Sequence, residues 1–527
     1  MAGRAKTKDA VVVGAGPNGL VSANMLVDAG WDVLVLETQP EVGGAVRSDT
    51  DISPGFVHDA FSAFYPLSAA SPVIPALHLE DYGLRWRHAP AILGNPLPDG
   101  SWAMLHRTVE DTIAGLDQHA PGDGEAWRRL HDDWLVIGPS IIQSLLTPFP
   151  PVRGGLSTVL KLPRVGGLDY VRTLLEPAST MGGKRFSAEA GQLLIAGNAL
   201  HADIPMDAAG SGLLGLLLAM SGQTVGFPVP EGGAGQLTRA MADRLQAKGG
   251  QIRTSTRVAK VLVDRRRVQG VVTADGERID ARVVVADVAA TALYGELVDY
   301  AELPDRVRRG MERYEHDPGT IKVDWALSSP VPWASPPPVA AGTVHVIDSM
   351  DELSRTQTQI TSHSVPSDPF LLVGQMTTSD PTRSPAGTES LWAYTHVPQV
   401  TRRDAGPDGL TGRWDRDECE RMADRIQARI EKYAPDFASA VIARRVLGPH
   451  EMQARDENLV QGAVGGGTAN FHQQLIFRPI AGLGRADTPV RGLFLGSASA
   501  HPGGGVHGAP GANAARAVVA AARTGRL

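Results

Sequence analysis

Near its start the chain reads Val11-Val12-Val13-Gly14-Ala15-Gly16-Pro17-Asn18-Gly19, a glycine-rich turn that follows an apolar, β-branched run. Apolar residues then recur at helical spacing up to Gly30, and a second strand-like run, Asp32–Leu36, ends at Glu37. This order of strand, GxGxxG turn, helix and strand predicts a βαβ unit that binds a dinucleotide. The phosphates are then expected to face the N-terminus of the helix, where backbone N–H groups are unpaired.

The predicted nucleotide contacts of this unit are of two kinds. Glu37 is placed to accept hydrogen bonds from ribose hydroxyls, and its charge disfavours a 2′-phosphate. The turn is expected to hold the phosphates, through Gly14, Gly16, Pro17, Asn18 and Gly19. We therefore expect a dinucleotide whose ribose is not phosphorylated.

The residues beyond Glu37 favour a flavin over a nicotinamide. The chain continues Glu41-Val42-Gly43-Gly44-Ala45-Val46-Arg47-Ser48. The pair Gly43 and Gly44 lets the backbone approach the second half of an extended dinucleotide, and Arg47 can meet a phosphate. A simple NAD dehydrogenase does not need this segment, so the sequence predicts FAD.

A second motif closes the chain: Leu493-Phe494-Leu495-Gly496-Ser497-Ala498-Ser499-Ala500-His501-Pro502-Gly503-Gly504-Gly505-Val506-His507-Gly508-Ala509-Pro510-Gly511. With the front unit it resembles the phytoene-dehydrogenase-like branch of the glutathione-reductase-type FAD fold. That branch includes bacterial phytoene desaturases, carotenoid isomerases and retinol saturases. Two internal stretches carry the same resemblance, residues 201–205 through 228–233 and residues 379–381 with 385–387. The resemblance covers nearly the whole chain.

The resemblance implies an FAD-dependent oxidoreductase that removes hydride from, or isomerises, a hydrophobic isoprenoid or polyene substrate. It places the backbone at Val258 against adenine, and Gly496 in the strand-to-loop segment of the closing motif. Gly503, Gly504, Gly505 and Val506 then lie against the flavin. Because glycines carry no side chain, the backbone can lie flat on the isoalloxazine, and the following helix N-terminus can stabilise charge on its N1–C2=O edge.

The predicted fold class is α/β, a Rossmann-like FAD-binding domain interleaved with a mixed-sheet α+β substrate domain. We expect the FAD-binding domain to be discontinuous, at residues 1–65, 228–290 and 485–527. The substrate-binding domain takes residues 66–227 and 291–484. We find no second strand–GxGxxG–helix unit, so no separate NAD(P)H domain is predicted.

Composition excludes several classes of protein. The 527 residues are 43% apolar and 20% charged with a net charge of −7, which is typical of a soluble globular protein and argues against nucleic acid as a partner. The single cysteine, Cys419, excludes a redox cysteine pair and zinc sites built on CxxC. We expect Cys419 to be a packing residue in a helix over 415–433, and we expect no metal site.

No membrane-spanning segment is expected. Met1–Asp9 carries Arg4, Lys6 and Lys8, but the apolar stretch behind it is the first strand, so we predict no signal peptide and a cytoplasmic location. The uncharged stretch 208–230 has an apolar centre too short for a span and predicts a buried helix. Peripheral membrane contact stays open, and no amphipathic anchor is evident in the sequence.

Catalytic residues are unknown at this stage, with three weak candidates. His501 and His507 flank the triple glycine and can serve as proton shuttles or only hold the loop. Arg478, before Pro479, can orient a substrate or bridge domains. His58 and Asp59 follow the first flavin segment and are open to the same two interpretations.

Two alternative functions remain. An FAD amine or alcohol oxidase is disfavoured, because amine oxidases of this fold carry two aromatic residues where this chain has Pro502 and Gly505. A non-catalytic lipid or prenyl carrier on the same fold is disfavoured because such carriers lose the flavin motifs. The leucine-rich runs suit either a long apolar substrate or a protein core, at 145–146, 156–162 and 213–218. The substrate's identity, the electron acceptor and the oligomeric state are not predicted.

Overall fold

The computed structural model describes residues 7–527, and Met1–Lys6, with the charges of Arg4 and Lys6, lie outside the described residues. Within that range the strands are, in chain order, β1 (Lys8–Val13), β2 (Val33–Leu36), β3 (Ser48–Asp49), β4 (His58–Asp59), β5 (Trp86–Arg87), β6 (Ala91–Pro96), β7 (Trp102–His106), β8 (Val229–Pro230), β9 (Gln251–Arg253), β10 (Val258–Asp264), β11 (Arg267–Thr273), β12 (Arg278–Ala286), β13 (Gly319–Leu327), β14 (Ala341–Val346), β15 (Ser364–Val365), β16 (Leu371–Gln375), β17 (Glu389–Val397), β18 (Arg403–Asp404), β19 (Val441–Leu447) and β20 (Leu493–Leu495).

The same residues form helices that cover both faces of the sheets. In chain order these are α1 (Pro17–Asp28), α2 (Pro66–Ala70), α3 (Val109–His119), α4 (Asp123–Leu146), α5 (Val152–Lys161), α6 (Leu168–Leu175), α7 (Ala178–Arg185), α8 (Glu189–His201), α9 (Ser211–Val225), α10 (Gly235–Ala247), α11 (Ala290–Ala292), α12 (Asp305–Met311), α13 (Met350–Thr361), α14 (Met376–Ser379), α15 (Arg416–Glu431), α16 (Phe437–Ala440), α17 (Pro449–Arg455) and α18 (Ala509–Arg523).

The first sheet unites strands from the two ends and the middle of the chain. Among the described residues its order is β10-β11-β12-β1-β2-β9, and β20 also pairs with β12. The strands β20, β12, β1, β2 and β9 run parallel, whereas β10 and β11 continue from β12 as an antiparallel meander. A parallel strand that is buried on both faces has a continuous apolar sequence. Residues 11–13 and Val33–Leu36 have such sequences.

The second sheet is mixed and lies in the remaining segments. Its order, within residues 7–527, is β19-β13-β17-β16-β14-β6-β7. Strands β14 and β6 pair in parallel. The other pairs of neighbouring strands in this sheet, within residues 7–527, are antiparallel. The α/β fold class with a Rossmann-like sheet and a mixed sheet is therefore confirmed.

Helices α1 and α15 lie where the sequence predicts them. Helix α1 has Pro17 at its first position and is followed by Gly30 at φ 84°, a conformation that suits glycine. Helix α15 packs Cys419, Met422 and Ile426 on the second sheet. Cys419 is a free, buried thiol, so the prediction of a packing residue is confirmed.

The leucine-rich runs divide into buried and exposed helices. Helix α9 is buried along most of its length, as predicted for 208–230. The expectation that 156–162 is core or lines a cavity is wrong for Leu156 and Leu160, which are 60% and 69% exposed on α5. Spacing of apolar residues defines a helix face, but it does not say what covers that face. No helix within residues 7–527 combines the length and apolarity needed to cross a bilayer.

A buried ion pair ties the flavin-side segment β4 to the second sheet. Arg383 and the carboxylate of Asp59 are 2.7 Å apart, and both side chains are fully buried. Asp59 also accepts a hydrogen bond from the Ala234 backbone N–H (2.7 Å), and Lys322 of β13 donates to the Asp59 carbonyl (2.9 Å). His58 lies in the same interface, 3.2 Å from the Ser390 hydroxyl. The segment 58–59 therefore has a structural role, because it connects β4 to Arg383 and to β13 of the second sheet.

We predict that Arg383→Ala lowers the free energy of unfolding by about 3–5 kcal/mol, because it leaves Asp59 charged and unpaired in the interior. Urea unfolding followed by tryptophan fluorescence measures the loss. Arg172→Ala is the matched control, since Arg172 and its partner Asp169 are largely exposed, and such a pair contributes under about 1 kcal/mol. Equal midpoints for the two variants would contradict the assignment.

Candidate functional site

The glycines of the front turn are required by close backbone approach. Gly14 has φ 97°, and a Cβ there would lie 2.7 Å from the Asp287 carbonyl oxygen. A Cβ on Gly16 would lie 2.8 Å from Asp287 Oδ2, and one on Gly19 would overlap the Gly14 carbonyl. Asp287 follows β12 directly and accepts a hydrogen bond from the Gly19 N–H (2.8 Å). Asp287 therefore supports the turn, and the spacing of the glycine motif did not predict this acid.

The second glycine pair lies against the first. Gly43 donates its N–H to the Ala15 carbonyl (2.9 Å), and a Cβ on Gly44 would approach Gly16 Cα to 3.2 Å. Arg47 is buried beside them and donates from Nη2 to the Arg455 carbonyl (3.0 Å). The two loops therefore form one backbone-lined cradle at the N-terminus of α1.

Glu37, which follows β2, lies beside the segment that leads into β10 and Val258. Glu37 is buried, and its two carboxylate oxygens accept hydrogen bonds from the Ala15 N–H (2.7 Å) and the Gln39 N–H (2.8 Å). The Thr256 N–H donates to the Glu37 carbonyl (2.7 Å), which brings the start of β10 beside it. An adenosine with its ribose on Glu37 would lie within reach of Val258.

Burial changes the charge of the acids around the turn. It raises the pKa of Asp287 to about 8, against the opposing hydrogen bond from the Gly19 N–H and with smaller contributions from Asp456 and Glu37. Burial likewise raises the pKa of Asp456, next to Gly44, to about 6. Asp287 is therefore neutral at pH 7, so it does not repel an anionic diphosphate at the turn.

The closing motif returns to the front turn. Gly496 donates its N–H to the Ala286 carbonyl (2.9 Å) at the end of β20. Gly511, in the first turn of α18, lies directly on the Asn18 carbonyl, where no larger residue fits. The Ser22 hydroxyl donates to the Gly511 carbonyl (3.0 Å). The N-termini of α1 and α18 are thus adjacent, although the sequence places them at opposite ends of the chain.

The triple glycine is enclosed by the Arg478 side chain, by backbone and by an apolar side chain. A Cβ on Gly503 would lie 3.2 Å from Arg478 Cζ, one on Gly504 would lie 2.9 Å from Gly465 Cα, and one on Gly505 would lie 2.9 Å from Leu67 Cδ1. Val506 packs against the apolar core under the first sheet, and its carbonyl accepts a hydrogen bond from Ser68. The loop therefore presents a surface with few side chains.

Two buried polar atoms show that this cleft is suited to a polar ligand. Among residues 7–527, Asn18 Oδ1 and Arg47 Nε are buried without a hydrogen-bond partner. A buried unpaired donor or acceptor costs about 1–3 kcal/mol, so such atoms are normally paired in the working protein. With the glycine cradle beside them, the Arg47 N–H donor fits a phosphate oxygen of a dinucleotide, and the Asn18 Oδ1 acceptor fits one of its hydroxyl or N–H groups.

Comparison with known proteins identifies the family. A model of flavin-containing amine oxidoreductases matches residues 103–395, and a model of NAD(P)-binding Rossmann-like domains matches residues 12–89. The chain belongs to the flavin-containing amine oxidoreductase family. It is an FAD-dependent oxidoreductase, and the resemblance to phytoene-dehydrogenase-like proteins is confirmed.

Several curated proteins are similar over nearly the whole chain. The mouse pyridine nucleotide-disulfide oxidoreductase domain-containing protein 2 is 28% identical, covering 98% of this chain and 94% of its own. Prolycopene isomerase 2 of an Oncidium hybrid is 24% identical (95% and 82%), as is the lycopene-forming phytoene desaturase of Pseudescherichia vulneris (95% and 96%). The solved structure of putrescine oxidase bound to putrescine is 16% identical with a TM-score of 0.60, covering 98% of this chain and 99% of that chain, and shows that the fold is shared.

The charged residues beside the closing loop of this flavin oxidoreductase bind backbone. Arg478 is buried and donates to the carbonyls of Thr468 (3.0 Å), Gly465 (2.6 Å) and Ala498 (2.8 Å). This geometry favours the bridging interpretation over substrate orientation, because the guanidinium is occupied by protein groups.

The two histidines of the loop are also held by backbone. His501 Nε2 is 2.9 Å from the Thr147 carbonyl, and His507 Nδ1 accepts a hydrogen bond from the Ala509 N–H (3.1 Å). Burial lowers the pKa of both, that of His507 to about 4. Both imidazoles are therefore neutral at pH 7, and each is held by a backbone group, whereas His501 Nδ1 is buried without a hydrogen-bond partner among the described residues. Within residues 7–527, no group of three or more His, Cys, Asp or Glu side chains is arranged to hold a metal ion.

Sequence reasoning missed two acids of this region. Asp287 is the first residue after an apolar parallel strand, a position at which polar residues often line a ligand site. Asp203 lies within the stretch 201–205, which carried the family resemblance, and its carboxylate is 2.9 Å from His396 Nε2. For both acids, the position in the chain was the available indication of a role. The residues that they contact could not be identified from the sequence.

We predict that Gly14→Ala reduces the bound flavin at least tenfold, because the added methyl collides with the Asp287 backbone at a φ that alanine rarely adopts. The ratio of absorbance at 450 nm to that at 280 nm in the purified protein measures it. Gly183→Ala is the control, since a Cβ there meets nothing within 4 Å. A Gly14→Ala protein as yellow as the control would refute the phosphate-loop assignment.

Proposed function

We propose that the paired glycine loops and the closing motif hold the FAD. We assign the diphosphate to two loops and a cation: the front turn (Gly14, Gly16, Pro17, Asn18 and Gly19), the pair Gly43 and Gly44, and Arg47. We assign the ribose to Glu37 and the adenine to Val258. The flavin ring is assigned to the segment Gly496 and Gly503–Val506. The unpaired atoms of Asn18 and Arg47 support this assignment. Bound there, FAD supplies the two-electron oxidant, while the protein supplies position and field.

We propose that residues 1–65, 228–290 and 485–527 form the FAD-binding unit, and that 66–227 and 291–484 form the substrate unit. The strands of the first sheet among the described residues all fall in the former segments, and those of the second sheet in the latter. Substrate would then enter from the second unit, against the face of the closing loop.

We propose that the enzyme desaturates or isomerises a hydrophobic, polyene-type substrate. The observation that carries this proposal is the character of the loop wall. Arg478, which lies against Gly503, is occupied by carbonyls, His507 is neutral, Gly504 faces the Gly465 backbone and Gly505 faces Leu67. A wall without a free charge or an aromatic pair favours an uncharged apolar substrate over an ammonium. Relatives named as a phytoene desaturase and a prolycopene isomerase agree with this choice.

The amine or alcohol oxidase remains the alternative enzyme, because the family model and the putrescine oxidase fold include amine oxidation. The lipid or prenyl carrier is disfavoured by the intact glycine cradle. These functions differ in which compound reduces the flavin.

We predict that anaerobic addition of a polyene bleaches the 450 nm band of the purified holoprotein, whereas primary amines and alcohols leave it unchanged. Hydride loss from the substrate reduces the flavin, so the absorbance change reports chemistry without an electron acceptor. The panel should contain carotenoid precursors, monoterpenes, alkylamines and alkanols. Bleaching by amines alone would replace this proposal with the oxidase, and a colourless protein with extractable lipid would replace it with the carrier.

We propose that the protein docks peripherally on an anionic lipid bilayer through α5 and α6. Their outer face exposes Val152, Leu156, Val159, Leu160 and Leu168, the last to 84%. Exposed apolar patches of this kind mark interaction surfaces, and an amphipathic helix with cations beside its apolar face is typical of membrane contact. The exposed flanking cations that complement anionic headgroups are Arg153 and Arg164, whereas Arg172 is paired with Asp169 and Lys161 donates to Ser140.

A second exposed apolar segment extends this surface toward the closing loop. Phe471, Leu475, Ile476 and Phe477 are each more than a third exposed. The Phe471 ring lies against Gly210, whose N–H donates to the carbonyl of Leu175 at the end of α6 (2.9 Å). The surface thus continues from α6 to the segment that precedes Arg478, which suits a substrate that partitions into lipid.

We predict that Leu156→Glu with Leu168→Glu reduces binding to vesicles of phosphatidylglycerol and phosphatidylcholine at least tenfold in a flotation assay. Each leucine loses about 1.5–3 kcal/mol of transfer free energy. The matched control, Val400→Glu with Ile442→Glu, changes two residues of similar exposure outside the patch and should bind like the wild type. Equal loss in both double variants, or no wild-type binding, would overturn the docking proposal.

A further inference from the structure

One residue in the middle of the second sheet reaches open space. The interior strands of that sheet are β13, β17, β16, β14 and β6, and every residue of these strands is buried except Tyr394 of β17. A strand with a neighbouring strand on each side can be exposed only through a face of the sheet. A cleft therefore opens onto the second sheet at Tyr394.

Tyr394 lies on the face of the sheet that is turned toward the FAD-binding unit. Its partners in register are Lys322 on β13 and Leu372 on β16, and the side chains of directly opposed residues share a face. The Lys322 amine donates a hydrogen bond to the carbonyl of Asp59 in β4 (2.9 Å). The face that carries Tyr394 is thus joined to the segment that follows the second glycine pair.

The Tyr394 ring belongs to a row of three aromatic side chains. It stacks on Trp392 with ring centroids 5.7 Å apart and an interplanar angle of 19°. Trp392 lies over Gly374, where no Cβ would fit, and donates its indole N–H to the Met376 sulfur (3.1 Å). The Phe64 ring is 6.0 Å from that of Trp392. This aromatic row is a fixed apolar surface that suits an unsaturated chain.

The aromatic row leads to the closing loop. Phe64 precedes Leu67 by three residues, so the two lie within about 11 Å of each other. Leu67 Cδ1 in turn lies 2.9 Å from the position of a Cβ on Gly505. Phe64 and Leu67 are both partly exposed, and they pack against the same apolar core as Tyr394. These contacts connect Tyr394 to the wall that we assign to the flavin ring.

The Tyr394 hydroxyl has no protein partner. It makes no hydrogen bond within residues 7–527, and it is not enclosed by neighbouring atoms, so it opens into the cleft. Burial, aided by Asp203, raises the pKa of Tyr394 well above its usual range, so the phenol stays a neutral donor. The Asp203 carboxylate is itself paired with His396 (2.9 Å). Filling the cleft with hydrocarbon alone would leave the Tyr394 hydroxyl unpaired, which is unfavourable.

We propose that Tyr394 determines specificity by donating a hydrogen bond to an oxygen atom of the substrate, which is an unsaturated apolar molecule with a hydroxyl or carbonyl group. This inference rests on the proposed function and narrows its substrate class. The oxygen is not the group that is oxidised, because Phe64 and Leu67 separate Tyr394 from the closing loop. A site with a fixed hydrogen-bonding group rejects an analogue that lacks the matching group, since its own group is then left unpaired. A pure hydrocarbon is therefore the poorer ligand.

The test is a thermodynamic cycle in the holoprotein. Tyr394→Phe removes a hydroxyl that bonds no protein group, so the fold and the flavin content should be unchanged. The ligands are tritiated geraniol, farnesol and geranylgeraniol, each with the hydrocarbon in which CH₂OH is replaced by CH₃, and β-cryptoxanthin with β-carotene. Equilibrium dialysis measures Kd. We expect Tyr394→Phe to weaken the alcohols that bind by about fivefold or more and to leave their hydrocarbons unchanged or bound more tightly.

Tyr300→Phe is the matched control. Tyr300 is 52% exposed and lies beside Arg308 of α12, outside the cleft, so its variant should bind every ligand like the wild type. An alcohol affinity that is unchanged in Tyr394→Phe overturns the proposal. Failure of every alcohol in the panel to bind the wild type overturns it as well.

A second readout reports the contact itself. In protein with ¹³Cζ-labelled tyrosine, the Tyr394 resonance is assigned by its absence in Tyr394→Phe. It should move when the alcohol is added and stay in place with the paired hydrocarbon, and an unmoved resonance with the alcohol bound overturns the contact. Hydrocarbon polyenes that bleach the flavin equally in the wild type and Tyr394→Phe would refute this inference and leave the proposed desaturation intact. Bleaching by amines alone would refute the proposed function, and this substrate class with it.

Discussion

The N-termini of α1 and α18 meet so closely that backbone lies on backbone. Gly511 lies on the carbonyl of Asn18, and the Ser22 hydroxyl bonds to the Gly511 carbonyl across a separation of 489 residues in sequence. Neither helix start can be displaced without opening this seam, which places the front turn beside the closing motif. The parallel order β20-β12-β1 follows from the same constraint, because β20 must end where α18 can return to α1.

Close backbone approach continues from this seam to the loop wall. Gly504 lies on Gly465, and Gly466 lies on Ala498, so two loops from distant segments pack without intervening side chains. Arg478 then satisfies the carbonyls that this packing turns inward. The cation is therefore part of the wall's structure, and the wall presents little charge. The way in which the loops are held therefore supports the apolar substrate that we propose.

Local pattern predicted the elements whose determinants are contiguous. Strand β1, helix α1 with Pro17, and the buried helix α9 were all evident, because turn glycines and apolar periodicity are properties of a single segment. The exposed face of α5 was not predicted, since spacing shows an apolar stripe but not its covering. Asp287 and the Asp203–His396 pair were missed because each owes its role to a partner on a distant segment. The sequence of a segment indicates which helix or strand it can form, whereas the role of a single acidic residue depends on its tertiary contacts.

Two buried acids hold the loops at opposite ends of the site by the same means. Asp287 accepts the Gly19 N–H and Asp317 accepts the Ala469 N–H, each at 2.8 Å. Burial raises the pKa of each to about 8, helped at Asp287 by Asp456 and at Asp317 by Asp203. Near neutral pH both are uncharged acids, which pin backbone without adding negative charge. A cleft that must accept an anionic diphosphate, and then extra negative charge on a reduced ring, gains from supports of that kind.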